Sequence, residues 1–196
     1  MGAGMDLYLI RHPRVIGGDG RCYGRMDLPL AADPAVLAQH IRAELPEGCV
    51  DTARLISSPA SRCRALANCL HPDAALDSRL LEMHFGSWEG LLWEQIDRDA
   101  LDRWAANPLT FAPPGGETPL AVRERALAWV ADLPADERAV IAIAHAGPIR
   151  MLLSYWMQIE PTGWPRIKID FGGISHVQLE AGRVNVLAVD LAAQNN

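Results

Sequence analysis

The sequence predicts an α/β fold: a three-layer α/β/α sandwich around a mostly parallel central sheet. Three observations predict it. Short apolar runs alternate with helical stretches along the chain. One run, Ala139–Ala144, is apolar at every position, the mark of a strand buried on both faces. Four segments open on a capping residue followed by proline: Asp33-Pro34, Ser58-Pro59, Thr118-Pro119 and Gly147-Pro148. Proline suits the first helical position because the N–H it lacks would be unpaired there.

In order, Met5–Ile10 reads as the first strand and Asp33–Leu45 as a helix. Ala53–Ser57 reads as a second strand, followed by a helix over Pro59–Leu70. Glu89–Ala106 reads as a tryptophan-containing helix and Pro119–Leu133 as another. The strand Ala139–Ala144 leads into a helix over Pro148–Met157. The tail reads as three strands, Arg166–Phe171, Ile174–Leu179 and Val184–Val189, joined by glycine-containing turns.

The 196 residues are enough for one domain, 1–196, with a sizeable core. Hydrophobic residues make up 49% and charged residues 21%, which argues against a disordered or fibrous chain. No apolar run approaches the roughly 20 residues a bilayer span needs, so no membrane partner is expected. Met1-Gly2-Ala3-Gly4-Met5 has neither a basic nor an apolar signal region. The four cysteines form no CxxC pair, so reduced thiols in a cytoplasmic protein are expected, with Cys63 and Cys69 filling a helix face. The net charge of −6 and the single lysine, Lys168, argue against nucleic acid as a partner. The remaining positive charge is arginine, suited to bidentate binding of carboxylate or phosphate.

Three segments share one pattern, in which an apolar strand ends and polar or cationic residues follow at a turn. Leu7–Ile10 is followed by Arg11-His12, Leu55-Ile56 by Ser57-Ser58 with Arg62 just beyond, and Val140–Ala144 by His145-Ala146-Gly147. Ligands of open α/β sheets bind outside the carboxyl ends of the strands. If these strands are parallel neighbours, two arginines and two histidines converge on one crevice with no carboxylate among them, a pocket for a dianionic phosphate. A fourth segment, Leu80–Gly90, places Glu82 among apolar and aromatic residues. Glu82 reads equally as a proton donor to a leaving group and as a cap on a backbone turn.

Together these segments resemble the histidine phosphatase, or phosphoglycerate-mutase-like, superfamily. Arg11-His12 is similar to its strand-end signature, Ser57–Arg62 to its phosphate-binding segment and Glu82–Gly90 to its acid-donor segment. His145-Ala146-Gly147 resembles its second-histidine segment, and Pro114–Thr118 its Gly-Gly-Glu loop. The resemblance implies a phosphoric monoester hydrolase acting on a small phosphorylated metabolite. His12 would be the nucleophile, and Arg11, Arg62 and His145 would hold phosphoryl oxygens. Glu82 would be the acid and the amide of Ala146 or Gly147 a further donor. No cofactor or metal is implied.

The chain departs from the family pattern at Pro13, which replaces a glycine, and at Arg14–Gly18, which lacks the usual Glu-Thr and a following Asn. Arg14, Arg21 or the Gly17-Gly18 backbone are candidate substitutes for that donor. His84 replaces a common Asp, and Ala146 replaces a Gly. The loop Cys22–Leu30 resembles that of bacterial α-ribazole phosphatases, which act in cobalamin biosynthesis. Tyr23, Gly24 and Arg25 would then contact the substrate; the same loop also reads as a structural turn leading to Asp33. Trp88, Trp93 and Trp104 read either as a pocket lining or as core. Alternatives to hydrolysis are a mutase or a broad sugar phosphatase, and outside this chemistry a non-catalytic binding protein. The short segment between Glu82 and His145 favours hydrolysis over a mutase, and the lack of an HExxH spacing disfavours a metal hydrolase.

Overall fold

A computed structural model describes residues 4–180 and 182–191. The first three residues of the N-terminal stretch considered above lie outside it. The strands are β1 (Met5–Arg11), β2 (Arg54–Ser57), β3 (Ala75–Leu76), β4 (Ala139–Ala144), β5 (Ile174–Glu180) and β6 (Arg183–Leu191). The helices are α1 (Pro34–Glu44), α2 (Cys49–Thr52), α3 (Ser61–Leu70), α4 (Arg98–Ala106), α5 (Pro119–Ala131) and α6 (Ala146–Trp156). The strands form one sheet in the order β3-β2-β4-β1-β5-β6. β1 to β4 pair in parallel, and β5 and β6 add an antiparallel edge.

Alternation along the central strands divides the core into two layers. Leu7, Leu9, Val140 and Ala142 face α5 and α6 and pack with Ala126, Trp129, Ile149 and Leu152. Tyr8, Ile10, Ile141 and Ile143 face the other way and pack with Ile41, Val50, Cys63 and Leu66 of α1, α2 and α3. The expected three-layer, mostly parallel architecture is what forms. No helix among the described residues is long and apolar enough to cross a membrane.

Several expected elements differ. The segment Glu89–Ala106 is not one helix. Gly86 and Gly90 adopt φ of +55° and +91°, short 3-10 turns form at Gly86–Trp88 and Trp93–Gln95, and α4 starts only after Asp97 caps it through Ala100 N. The segment 166–171 is not a strand: the carbonyls of Ile167 and Ile169 bond to arginine side chains instead of a neighbouring strand. Of the four capped prolines, Asp33 and Thr118 cap as expected. Ser58 does not cap a helix at Pro59: α3 begins at Ser61. Helix α6 begins at Ala146, ahead of Gly147-Pro148. Cys63 is buried on its helix, whereas Cys69 is exposed.

Candidate active site

The order β2-β4-β1 brings the three strand ends side by side. Past β1, the His12 N–H donates to Ala144 O at 3.0 Å, and past β2 the Ser58 N–H donates to Ile143 O at 2.8 Å. His145 follows β4 directly and holds the N-cap position of α6. Sheet pairing therefore sets the two imidazoles with centroids 5.0 Å apart. Arg62, in the first turn of α3, lies against both: its Nε donates to His12 Nε2 at 3.2 Å and its Nη2 to His145 Nδ1 at 3.1 Å. His12, Arg62 and His145 are each no more than 1% exposed.

These partners fix the protonation pattern. Pro13 O can only accept, and it lies 2.7 Å from His12 Nδ1, so Nδ1 carries the proton. Arg62 can only donate, so His12 Nε2 presents its lone pair. Burial first, then the Arg62 and Arg11 charges, hold His12 well below the ordinary histidine value, as a neutral imidazole. Pro13, which has no N–H to donate, contributes its carbonyl. In His145 the order reverses: Nδ1 accepts from Arg62, and Nε2–H donates to Ser58 Oγ at 2.9 Å. Burial, then His12 and Arg62, push its pKa well down too.

The remaining Arg62 donors meet the loop between β1 and α1: Nη1 bonds Met26 O at 2.8 Å and Nη2 bonds Gly24 O at 2.7 Å. The Tyr23 ring lies 5.2 Å from the Arg62 guanidinium carbon. Asp27 ties the same loop to the start of α3, accepting from Ser61 N at 3.2 Å and Ser61 Oγ at 2.8 Å. Gly24 has φ +38°, and a Cβ there would fall within 2.8 Å of Met83 O and the Phe85 ring, so the loop requires glycine at this point.

A cavity of about 330 Å³ adjoins this cluster, lined by Arg11, Tyr23, Gly24, Glu82, Ala146 and Arg150 among others. His12, Arg62 and His145 are not on its wall. Glu82 does form a backbone cap: Oε1 accepts from Met83 N at 2.8 Å and Oε2 from Gly147 N at 3.2 Å. It also lines the cavity. The Gly147 amide is thereby engaged, which leaves Ala146 as the candidate amide donor. Arg11 donates from Nη1 to Ile169 O at 2.7 Å and stacks 3.7 Å above the Phe171 ring.

Arg25, expected to contact substrate, is engaged by partners within the protein. It is absent from the cavity wall, and its Nη2 pairs with Glu117 at 3.0 Å while its Nε reaches Glu82 O at 3.3 Å. Glu117, of the Gly-Gly-Glu loop, also pairs with Arg125 at 2.9 Å. Burial opposes its charge, but Arg125, the His84 amide and Arg25 keep its pKa below the ordinary carboxylate value. Glu117 therefore organises the Glu82 segment.

Of the candidate substitutes for the missing donor, Gly18 and Arg21 reach the cavity, and Arg14 pairs with Asp19 in solvent. Trp88 is core, Trp104 packs half-buried against it, and Trp93 stacks on Trp104 while also lining the cavity. Among the described residues no three His, Cys, Asp or Glu side chains converge as metal ligands. Sequence reasoning missed Phe171 and Arg150. Arg150 was findable, since it stands four residues after Ala146, on the same face of α6.

The chain belongs to the histidine phosphatase superfamily (branch 1), which matches residues 7–191. Glucosyl-3-phosphoglycerate phosphatase of Mycobacterium tuberculosis (strain ATCC 25618 / H37Rv) is 35% identical over 116 residues, 53% of this chain and 52% of that protein. This chain thus spans about half the length of that relative. The native structure of a mycobacterial glucosyl-3-phosphoglycerate phosphatase superposes with a TM-score of 0.80 at 25% identity, covering 96% of this chain and 100% of the other. The α-ribazole phosphatase of Shigella flexneri superposes at 0.81 with 22% identity, covering 95% and 96%, a likeness of fold.

Proposed function

We propose that this chain, as one domain over 1–196, is a cofactor-free phosphomonoesterase that passes the phosphoryl group through His12. The observation that carries the reading is the His12 tautomer, with Nδ1–H held by Pro13 O and the Nε2 lone pair beside Arg62. The substrate's phosphoryl group takes over the Arg62 donors, and Nε2 forms an N–P bond as the P–O bond to the alcohol breaks. Arg11, Arg62, His145 and the Ala146 amide hold the phosphoryl oxygens and the charge developing on them. Glu82 gives a proton to the leaving oxygen. Water then attacks phosphorus, Glu82 takes its proton, and the N–P bond electrons return to Nε2.

The named relatives are phosphatases, which supports hydrolysis over a mutase. Their substrate, glucosyl-3-phosphoglycerate, and α-ribazole 5′-phosphate are the two particular esters to compare. Tyr23 and Gly24 line the cavity, which supports a role for them in meeting the alcohol portion.

Trapping with a labelled phosphomonoester tests the reading. Wild type is expected to carry acid-labile, base-stable label and His12→Ala none. Full turnover by His12→Ala would overturn it. A panel of α-ribazole 5′-phosphate, glucosyl-3-phosphoglycerate, phosphoglycerates and sugar phosphates then ranks substrates.

A further inference from the structure

Arg150 is a cation with no role in the chemistry above, yet it lines the same cavity as Arg11 and Glu82. Its Nε is fixed by Ile167 O at 2.8 Å, and its two terminal nitrogens meet no acceptor among the described residues. Arg11 is anchored through Nη1 by Ile169 O, two residues further on, and backed by Phe171. The segment from Ile167 to Phe171 therefore holds two guanidiniums at one cavity. Burial, and after it the neighbouring Arg11, work against the charge on Arg150. Glu82 and Asp190 favour that charge from a distance without pairing with it. A half-buried guanidinium beside a second one, with its terminal fork unengaged, is stabilised by an anion that enters the cavity.

The transferred phosphoryl group already has His12, Arg62, His145 and Arg11, which leaves Arg150 to the alcohol portion. We propose that Arg150 is a specificity-determining residue that pairs with a carboxylate on the leaving alcohol, making the substrate class phosphate esters of hydroxy acids. This rests on the reading of His12 as nucleophile. A planar carboxylate matches the free Nη1/Nη2 fork in a bidentate pair. Tyr23, Phe85 and Trp93 supply apolar wall for the carbon skeleton.

The test uses substrate pairs that differ in the carboxylate: 3-phosphoglycerate against glycerol 3-phosphate, and phosphoserine against phosphoethanolamine. The readout is the ratio of kcat/KM within each pair, which does not depend on the fraction of enzyme folded. Wild type is expected to favour the carboxylated member. Arg150→Met is expected to shrink that ratio by roughly 10- to 100-fold, mainly through KM, the size of one charge-assisted pair. Arg150→Lys, which keeps the charge and loses the fork, should fall between. A wild type without preference, or an Arg150→Met variant that slows both members equally, overturns the proposal. Calorimetric binding of the same pairs to His12→Ala reads the ratio without turnover. Failure of the His12 reading, seen as label retained by His12→Ala, is therefore distinguishable from failure at Arg150.

Discussion

His12 has one nitrogen free to react because its neighbours leave no choice: a carbonyl that only accepts on one side and a guanidinium that only donates on the other. Glu82 is held with comparable economy. A Cβ on Gly147 would fall on the Glu82 carboxylate, so glycine there permits the approach. Gly147→Ala is expected to displace the carboxylate, the flexible end of a side chain, without unfolding the protein. Turnover of an alkyl phosphate should fall ~10-fold or more, while the melting temperature moves by only a few degrees. A melting temperature that collapses together with activity would contradict this account. Glu82→Gln should cost about 100-fold or more with an alkyl leaving group and much less with an aryl one, which scarcely needs protonation. Equal losses with both leaving groups would remove Glu82 as the acid.

Among the elements, the capped prolines show where local rules hold and where they yield. Thr118 accepts from Ala121 N at 3.0 Å, so Thr118→Ala should lower the unfolding free energy by about 1 kcal/mol in a urea titration with little change in kcat. No change in midpoint would show that the cap is dispensable. Ser58 looks like the same device in the sequence, yet its hydroxyl meets His145 and α3 starts three residues later. Glu89–Ala106 departs from a single helix for a similar reason. Hydrophobic spacing was helical, but Gly90 at positive φ and the Asp97 cap break the segment into turns and one short helix. The segment 166–171 has apolar residues like a strand and serves as a bracket for two arginines.

For the whole molecule, the parallel order β2-β4-β1 carries the site, and the burial of its histidines ties stability to pH. His12 and His145 are both held neutral, with native pKa values below the ordinary 6.5. Below 6.5 the unfolded chain binds protons that the native protein refuses, so stability is fully present above that value and is lost as pH falls through the native values. The unfolding free energy should therefore drop between pH 7.5 and 5.5, by up to ~1.4 kcal/mol per pH unit for each histidine. Replacing His12 with a neutral isostere such as Gln should remove its share and leave a shallower dependence from His145, and an unchanged slope would assign it to other groups.

The sequence by itself determined the layered α/β class, the buried central strand and the turns that bear His12, Arg62 and His145. Those features depend on local periodicity, turn chemistry and residue type, all readable along the chain. Only the tertiary structure decided which His12 nitrogen holds the proton and that Glu82 caps a turn while facing the cavity. It also tied Arg25 to Glu117 and brought Arg150 beside Arg11. Each of these depends on partners up to 158 residues apart, such as Arg11 and Ile169, which meet only when the sheet and its covering segments close.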